Sequence, residues 1–312
     1  MRHSLSVAAV GWALVLGAAS AWAQAPVPTF GARSELVVLS ATAVDKGGRP
    51  IRDLKREELR VFDEGRPQPI VHFTASQDLR ARILLLVDAS GSMNAEFNTT
   101  SSRMAAVQIM AALDAQDEVA LAGFDSQYFG VVRFTRDRAA IRSGFTELKP
   151  FGSTALHDAL DHAARDLATW GEGRRAVVVI TDGIDTASQL TADEAIARSR
   201  ALDVPIYTLS VLSPIDDPRS PMFAGRERPA AAAKGGAELA RFAALSGGAA
   251  FAVSDFRGLK EAADQIAAEL KHQYRLGYDP PANPPRFRRI EVRSTRKGVL
   301  IRTRSGYMPP AS

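Results

Sequence analysis

Ile83-Leu84-Leu85-Leu86-Val87-Asp88-Ala89-Ser90-Gly91-Ser92 sets five apolar residues in a row against an acid and two hydroxyls. An apolar run without alternation suits a strand covered on both faces, the ordinary state of a central parallel strand. Open sheets of that kind bind ligands in the crevice beyond the carboxyl ends of their strands, where Asp88, Ser90 and Ser92 would lie. These residues supply hard oxygen donors and no soft ones, a set suited to magnesium, manganese or calcium rather than zinc or copper. The spacing alone is weak evidence, because Asp and Ser are equally at home as a helix N-cap.

Two further stretches bear on it. Gly152-Ser153-Thr154-Ala155-Leu156 places a threonine in a loop just before an amphipathic helix, and Ala176-Val177-Val178-Val179-Ile180-Thr181-Asp182-Gly183 is a second buried strand ending in an aspartate. Together the three stretches resemble the von Willebrand factor A family and its metal-ion-dependent adhesion site, with Asp88, Ser90, Ser92, Thr154 and Asp182 filling all five motif positions. The resemblance implies a doubly wound, Rossmann-like α/β domain over residues 80–273. It also implies that Ser90, Ser92 and Thr154 bind a divalent ion through their hydroxyls, while Asp88 and Asp182 act largely through waters. Such an ion, Mg²⁺ or alternatively Mn²⁺ or Ca²⁺, keeps enough charge to accept an Asp or Glu carboxylate from a protein partner. Binding rather than bond cleavage is the expected activity.

The 312 residues allow one large domain and a smaller one, and 46% hydrophobic with 24% charged residues is an ordinary composition for a folded protein. Arg2 and His3, an apolar run from Val7 to Ala18, and Ala21-Trp22-Ala23 before Gln24 form the pattern of a Sec signal peptide cut after Ala23. Its removal takes Arg2 from a formal net charge of +4, too small an excess for a nucleic-acid partner. Cysteine is absent, which excludes disulfides and lipoprotein acylation, and no second apolar span follows. The expected mature protein is periplasmic or secreted, with no membrane span.

In chain order, residues 24–34 read as a loose leader. Glu35–Asp45, the set around Leu59, Val61 and Phe62, and Ile70, Val71 and Phe73 predict about four short strands with turns at Lys46-Gly47-Gly48 and Asp63-Glu64-Gly65. So few strands do not make a stable unit alone. The segment VDKGGRPIRDLKREELRVFDEGRPQPI is similar to the N-terminal part of a bacterial group known as the VWFA-related acidobacterial domain. Strand and helix then alternate to residue 273, giving six strands in a mostly parallel sheet, with a helix at 104–113 capped by Ser101 or Ser102. After it, Tyr274–Tyr278 reads as a strand, and Phe287–Val292 with Gly298–Arg304 as a hairpin about Arg296-Lys297. These C-terminal strands, over 274–312, are expected to complete the small β module begun by residues 35–79, with the larger domain inserted between its halves. Residues 286–304 hold eight Lys or Arg with Glu291 as the sole acid. They suit an anionic surface or, more simply, the wet face of strands whose other face carries Ile290, Val292 and Ile301, with Arg293, Arg302 and Arg304 in solvent.

Other chemistry finds little footing. The surroundings of Ser90 lack G-x-S-x-G, and Ser90 stands where a phosphatase of the haloacid dehalogenase type has its second acid. His157 and His162 diverge by about 140° on a helix, so they suit packing or surface roles rather than one zinc face. Asp185 serves equally as a support to the metal loops or as a loop cap. A metal-assisted hydrolase or phosphatase on the same fold, and a structural envelope protein, are the remaining alternatives. Residues 213–233 form a long aperiodic segment leaving the sheet edge that carries the metal loops; it reads either as a partner-binding loop, with Met222, Phe223 and Arg226 as the expected contacts, or as a disordered insertion without a role.

Overall fold

The structure is a computed structural model that describes residues 36–75, 79–94, 96–169, 173–211, 230–281 and 286–309. The N-terminal segment contributes β1 (Val37–Val44), β2 (Leu59–Asp63), β3 (Arg66–Gln68) and β4 (His72–Ala75). Between β2 and β3, Glu64 and Gly65 both take positive φ (51° and 75°), as a tight type I′ hairpin turn demands. The α/β part follows as β5 (Ala81–Asp88), α1 (Glu96–Ala112), β6 (Glu118–Phe124), β7 (Tyr128–Thr135), α2 (Arg138–Gly144), α3 (Leu156–Ala168), β8 (Arg174–Thr181), α4 (Ala192–Ala201), β9 (Ile206–Val211), α5 (Ala230–Ser246), β10 (Ala250–Val253) and α6 (Phe256–Lys271). The chain ends in β11 (Gln273–Tyr278), β12 (Arg288–Ser294), β13 (Leu300–Thr303) and β14 (Gly306–Tyr307).

The six-stranded sheet runs β10-β9-β8-β5-β6-β7, parallel throughout except for the β6–β7 hairpin. Both faces are covered, which explains the unbroken apolar run of β5. Ile83, Leu85 and Val87 pack with Ile109 of α1 and Ile266 of α6, while Leu84 and Leu86 pack on the other face with Leu160 and Ala163 of α3 and Phe242 of α5. Leu156, Leu160, Ala163, Ala164 and Leu167, the predicted apolar stripe of α3, are all buried.

The remaining strands form two four-stranded antiparallel sheets, β13-β1-β11-β4 and β14-β12-β2-β3. Each mixes strands from both ends of the chain: β1 pairs with β11 and β13, and β12 pairs with β2. Leu39, Val61, Leu276, Ile290 and Val292 share one core between them. At its centre the wholly buried Asp63 accepts hydrogen bonds from Arg288 (2.8 Å), Tyr278 (2.9 Å) and Tyr307 (3.3 Å).

Three expectations are corrected. Phe287–Val292 and Gly298–Arg304 are not a hairpin: β12 bonds β2 and β14 while β13 bonds β1, so residues 295–299 cross from one sheet to the other. The apolar faces of both strands are needed by different partners, and that demand outweighs a local ladder. Arg302 and Arg304 are not a wet face. Arg302 pairs with the buried Glu269 of α6, and Arg304 is 7% exposed, bonded to the carbonyls of Val38, Arg200 and Ala201 and 3.4 Å from Asp203. Arg293 does lie outside, on Glu291 and over the Phe62 ring. Finally, α1 begins at Glu96, so Ser101 and Ser102 lie inside it rather than cap it. Its polar first turns survive by local bonds: Ser102 Oγ donates to the Asn98 carbonyl, Asn98 Nδ2 to that of Ser92, and Thr99 Oγ1 to that of Met93.

No described helix is long and apolar enough to cross a membrane.

Candidate metal centre

The five predicted oxygen residues come from three loops at the carboxyl edge of the six-stranded sheet. Asp88 is the last residue of β5, and Ser90 and Ser92 follow in the turn to α1. Asp182 follows the last residue of the neighbouring β8, and Thr154 lies two residues before α3. Val87 stands opposite Ile180 in the β5–β8 register, which sets Asp88 beside Thr181.

Asp88 is 3% exposed and its two oxygens are held separately. Oδ1 accepts from the Ser90 amide at 2.8 Å, and Oδ2 accepts from the Thr181 hydroxyl at 2.5 Å. Ser90 Oγ and Ser92 Oγ are 3.1 Å apart, which turns both hydroxyls toward one point. The loops are tied backbone to backbone. The Phe151 amide donates to the Ala89 carbonyl (2.8 Å), the Gly91 amide to the Gly152 carbonyl (3.0 Å), and the Thr186 amide to the Thr154 carbonyl (2.8 Å). The Thr154 amide in turn donates to Thr186 Oγ1 at 2.9 Å.

Burial pushes the Asp88 carboxyl up to about 6, against the hydrogen bonds from Ser90 and Thr181 and helped by the charge of Asp182. Among the described residues neither Asp88 nor Asp182 has an ion-pair partner. Two buried carboxylates, with the charge of Asp182 making ionisation of Asp88 costlier and the Ser90 and Ser92 hydroxyls beside them, fit a hard divalent cation. The donor chemistry therefore agrees with the group that the resemblance implies.

Thr181 and Gly235 were not foreseen, while Asp185 was expected as a support to these loops or as a loop cap. Thr181 reads as one more strand residue, and only the register shows its hydroxyl against Asp88. Asp185 proves to be a cap at long range, accepting from the Leu156 amide (2.9 Å) at the start of α3 and from the Ser188 hydroxyl (2.5 Å). Gly235 of α5 lies against the metal loop so closely that a Cβ there would stand 2.3 Å from the Gly183 carbonyl oxygen. His157 is buried, with Nδ1 3.0 Å from the Leu190 carbonyl, Nε2 on Glu238, and its ring stacked on Phe242. His162 stacks on Tyr128. Met222, Phe223 and Arg226 lie outside the described residues, as does the segment assigned to a signal peptide.

Residues 83–184 match the von Willebrand factor type A domain, over the stretch that holds all five oxygen residues. The six-stranded unit is similar in fold to von Willebrand factor A domains. A von Willebrand factor type A structure from Catenulispora acidiphila superposes over 89% of this chain and 75% of its own, at 14% identity and a TM-score of 0.51. The conserved hypothetical protein BatB from Bacteroides thetaiotaomicron aligns over 61% of this chain and 99% of its own (20% identity, TM-score 0.49). The vWF domain of the type V pili tip protein Mfa5 from Porphyromonas gingivalis covers 61% and 94% respectively (13% identity, TM-score 0.47). A search among curated proteins finds no match. The carboxyl edge of the six-stranded sheet is the place where the loops after β5 and β8 and the loop before α3 meet.

Proposed function

We propose that the protein is a periplasmic or secreted binding module that captures a protein partner through a divalent cation held by Asp88, Ser90, Ser92, Thr154 and Asp182. The observation that carries this reading is that two buried carboxylates with no ion-pair partner among the described residues, and three hydroxyl residues, lie on neighbouring loops at one sheet edge. Mg²⁺ is the expected ion, with Mn²⁺ or Ca²⁺ as substitutes. When bound, it supplies a positive centre able to accept one further anionic oxygen, and an Asp or Glu of the partner is the ligand proposed. Asp88 and Asp182 balance its charge, Ser90, Ser92 and Thr154 hold it by hydroxyls, and Thr181 orients Asp88. The activity proposed is binding and not catalysis: His157, on the helix after Thr154, has both ring nitrogens engaged and is not available as a base.

The test is thermal unfolding of EDTA-stripped protein with and without added metal. At about a hundredfold excess over Kd, Mg²⁺ stabilises by about 2.7 kcal/mol, or roughly 4–5 °C in Tm for a protein of this size. Asp88→Ala and Thr154→Ala should each lose most of that gain. An unchanged Tm for wild type with Mg²⁺, Mn²⁺ and Ca²⁺ rules the metal site out.

A further inference from the structure

Phe151 sits in the loop that joins α2 to α3, three residues before Thr154. Its side chain is 79% exposed, more than any other large apolar side chain among the described residues. The exposure does not come from a loose loop. The Phe151 amide donates to the Ala89 carbonyl, and the next carbonyl, of Gly152, accepts from the Gly91 amide, so the backbone on either side is tied to the Asp88–Ser92 turn. Pro150 restricts the chain just before, and Gly152 closes the turn at φ +80°. A solvent-facing aromatic ring on a fixed backbone joins none of the apolar cores among the described residues, yet it is the side-chain type that dominates binding energy at protein interfaces and loses little entropy when covered.

Resting on the metal-site reading above, we propose that Phe151 is the apolar anchor of the partner-binding surface. The ligand is then a protein segment that presents an Asp or Glu to the cation and an apolar side chain to the Phe151 ring. Three peptide steps separate Phe151 from Thr154, so their Cα atoms lie within about 11 Å. An extended segment rises about 3.3 Å per residue, so the apolar side chain falls two or three positions from the acid. The cation supplies the requirement for an acid, and Phe151 supplies the choice among acidic segments.

A displayed peptide library with a fixed Asp or Glu and five random residues on each side is selected on the full chain with Mg²⁺ and eluted with EDTA. The expected consensus carries Leu, Ile, Met, Phe, Tyr or Trp two or three residues from the acid. Phe151→Ser should weaken the selected peptides by roughly ten- to thirtyfold, and Phe151→Leu should retain most of the affinity. Both variants should keep the wild-type Mg²⁺ shift in Tm, which shows that fold and metal site are intact. A consensus with no apolar position, equal binding by Phe151→Ser, or no EDTA-eluted peptide despite a normal Mg²⁺ shift each overturns the role of Phe151 and leaves the metal site standing. Absence of the Mg²⁺ shift in wild type removes the metal reading and this inference together.

Discussion

At the scale of single residues, the loops of the proposed metal site depend on contacts that leave no room for substitution. Gly235 touches the backbone of Gly183, the residue after Asp182, and a Cβ would overlap its carbonyl oxygen and carbon at 2.3 and 2.7 Å. Gly235→Ala should therefore displace Asp182 and weaken Mg²⁺ binding about tenfold or more, the loss usual for residues that position metal ligands. Titration calorimetry reads the affinity, and unchanged far-UV circular dichroism shows that α5 persists. His272, at the end of α6, makes a separate prediction. Partial burial, with Arg52, Arg174 and Lys271 nearby, pushes its imidazole down from 6.5 to about 4. Between these values the unfolded chain binds a proton that the folded chain refuses, so this residue's contribution to stability is present above pH 6.5 and is lost as pH falls toward 4. Metal-free Asp88, pushed up from 3.8 to about 6, acts in the opposite sense: its contribution falls as pH rises through that window. The comparison that isolates His272 is wild type against His272→Asn, both stripped of metal. Urea midpoints should show the wild-type advantage growing as pH rises from about 4 to 6.5. A constant difference would show that His272 titrates alike in both states.

At the scale of elements, α3 shows how a helix start can be finished from elsewhere in the chain. Ala155, at its N-cap position, offers no side-chain acceptor. Asp185, 29 residues later in sequence, takes the Leu156 amide instead. Asp185→Ala should cost about 1 kcal/mol, the usual worth of a helix cap, seen as a lower urea midpoint at unchanged slope. Because the same residue braces the loop after Asp182, the Mg²⁺ shift in Tm should shrink as well. The polar start of α1 makes a similar point. Asn98, Thr99 and Ser102 read as loop or cap residues by propensity, yet they continue the helix because each finds a carbonyl within the adjoining turns.

At the scale of the whole molecule, the sandwich and the α/β part are joined through buried charge. Asp203 accepts from the Ser40 amide and hydroxyl (3.3 and 3.1 Å) and lies 3.4 Å from Arg304, while Glu269 of α6 meets Arg302 of β13. Removal of residues 280–312 takes away β12, β13 and β14 and leaves β2 without its main partner. It also strands Glu269 and Asp203 as buried acids without their arginines. Limited proteolysis should then cut within 36–75, and the remaining α/β part should melt several degrees lower than in the full chain, since an unpaired buried charge is costly. Resistance of 36–75 equal to wild type would show that the N-terminal strands hold without their C-terminal partners. Asp63→Ala tests the sandwich from within: it leaves Arg288 buried without its carboxylate and should cost about 3–5 kcal/mol, measured by chemical denaturation.

The amino-acid sequence alone determined the six-stranded α/β sheet and the positions of the five oxygen residues on its loops. Both follow from local patterns: unbroken apolar runs ending in acids and hydroxyls, and a helix with one apolar stripe. The Asp63-Glu64-Gly65 turn was equally plain, because it answers to backbone preference at two residues. What tertiary structure decided is everything that depends on a partner far away in the chain. Arg302 and Arg304 carry the alternation of a solvated strand face, and only the arrival of α6 and of the C-terminal end of α4 turns that face into an interior. β12 and β13 have the spacing of a hairpin, and only the presence of β1 and β2 sends them to different sheets. Thr181 and Gly235 are ordinary in sequence, and register and close packing bring them against the loops of Asp88 and Asp182, because a hydrogen bond or a backbone contact is specified by position in space and not by spacing along the chain.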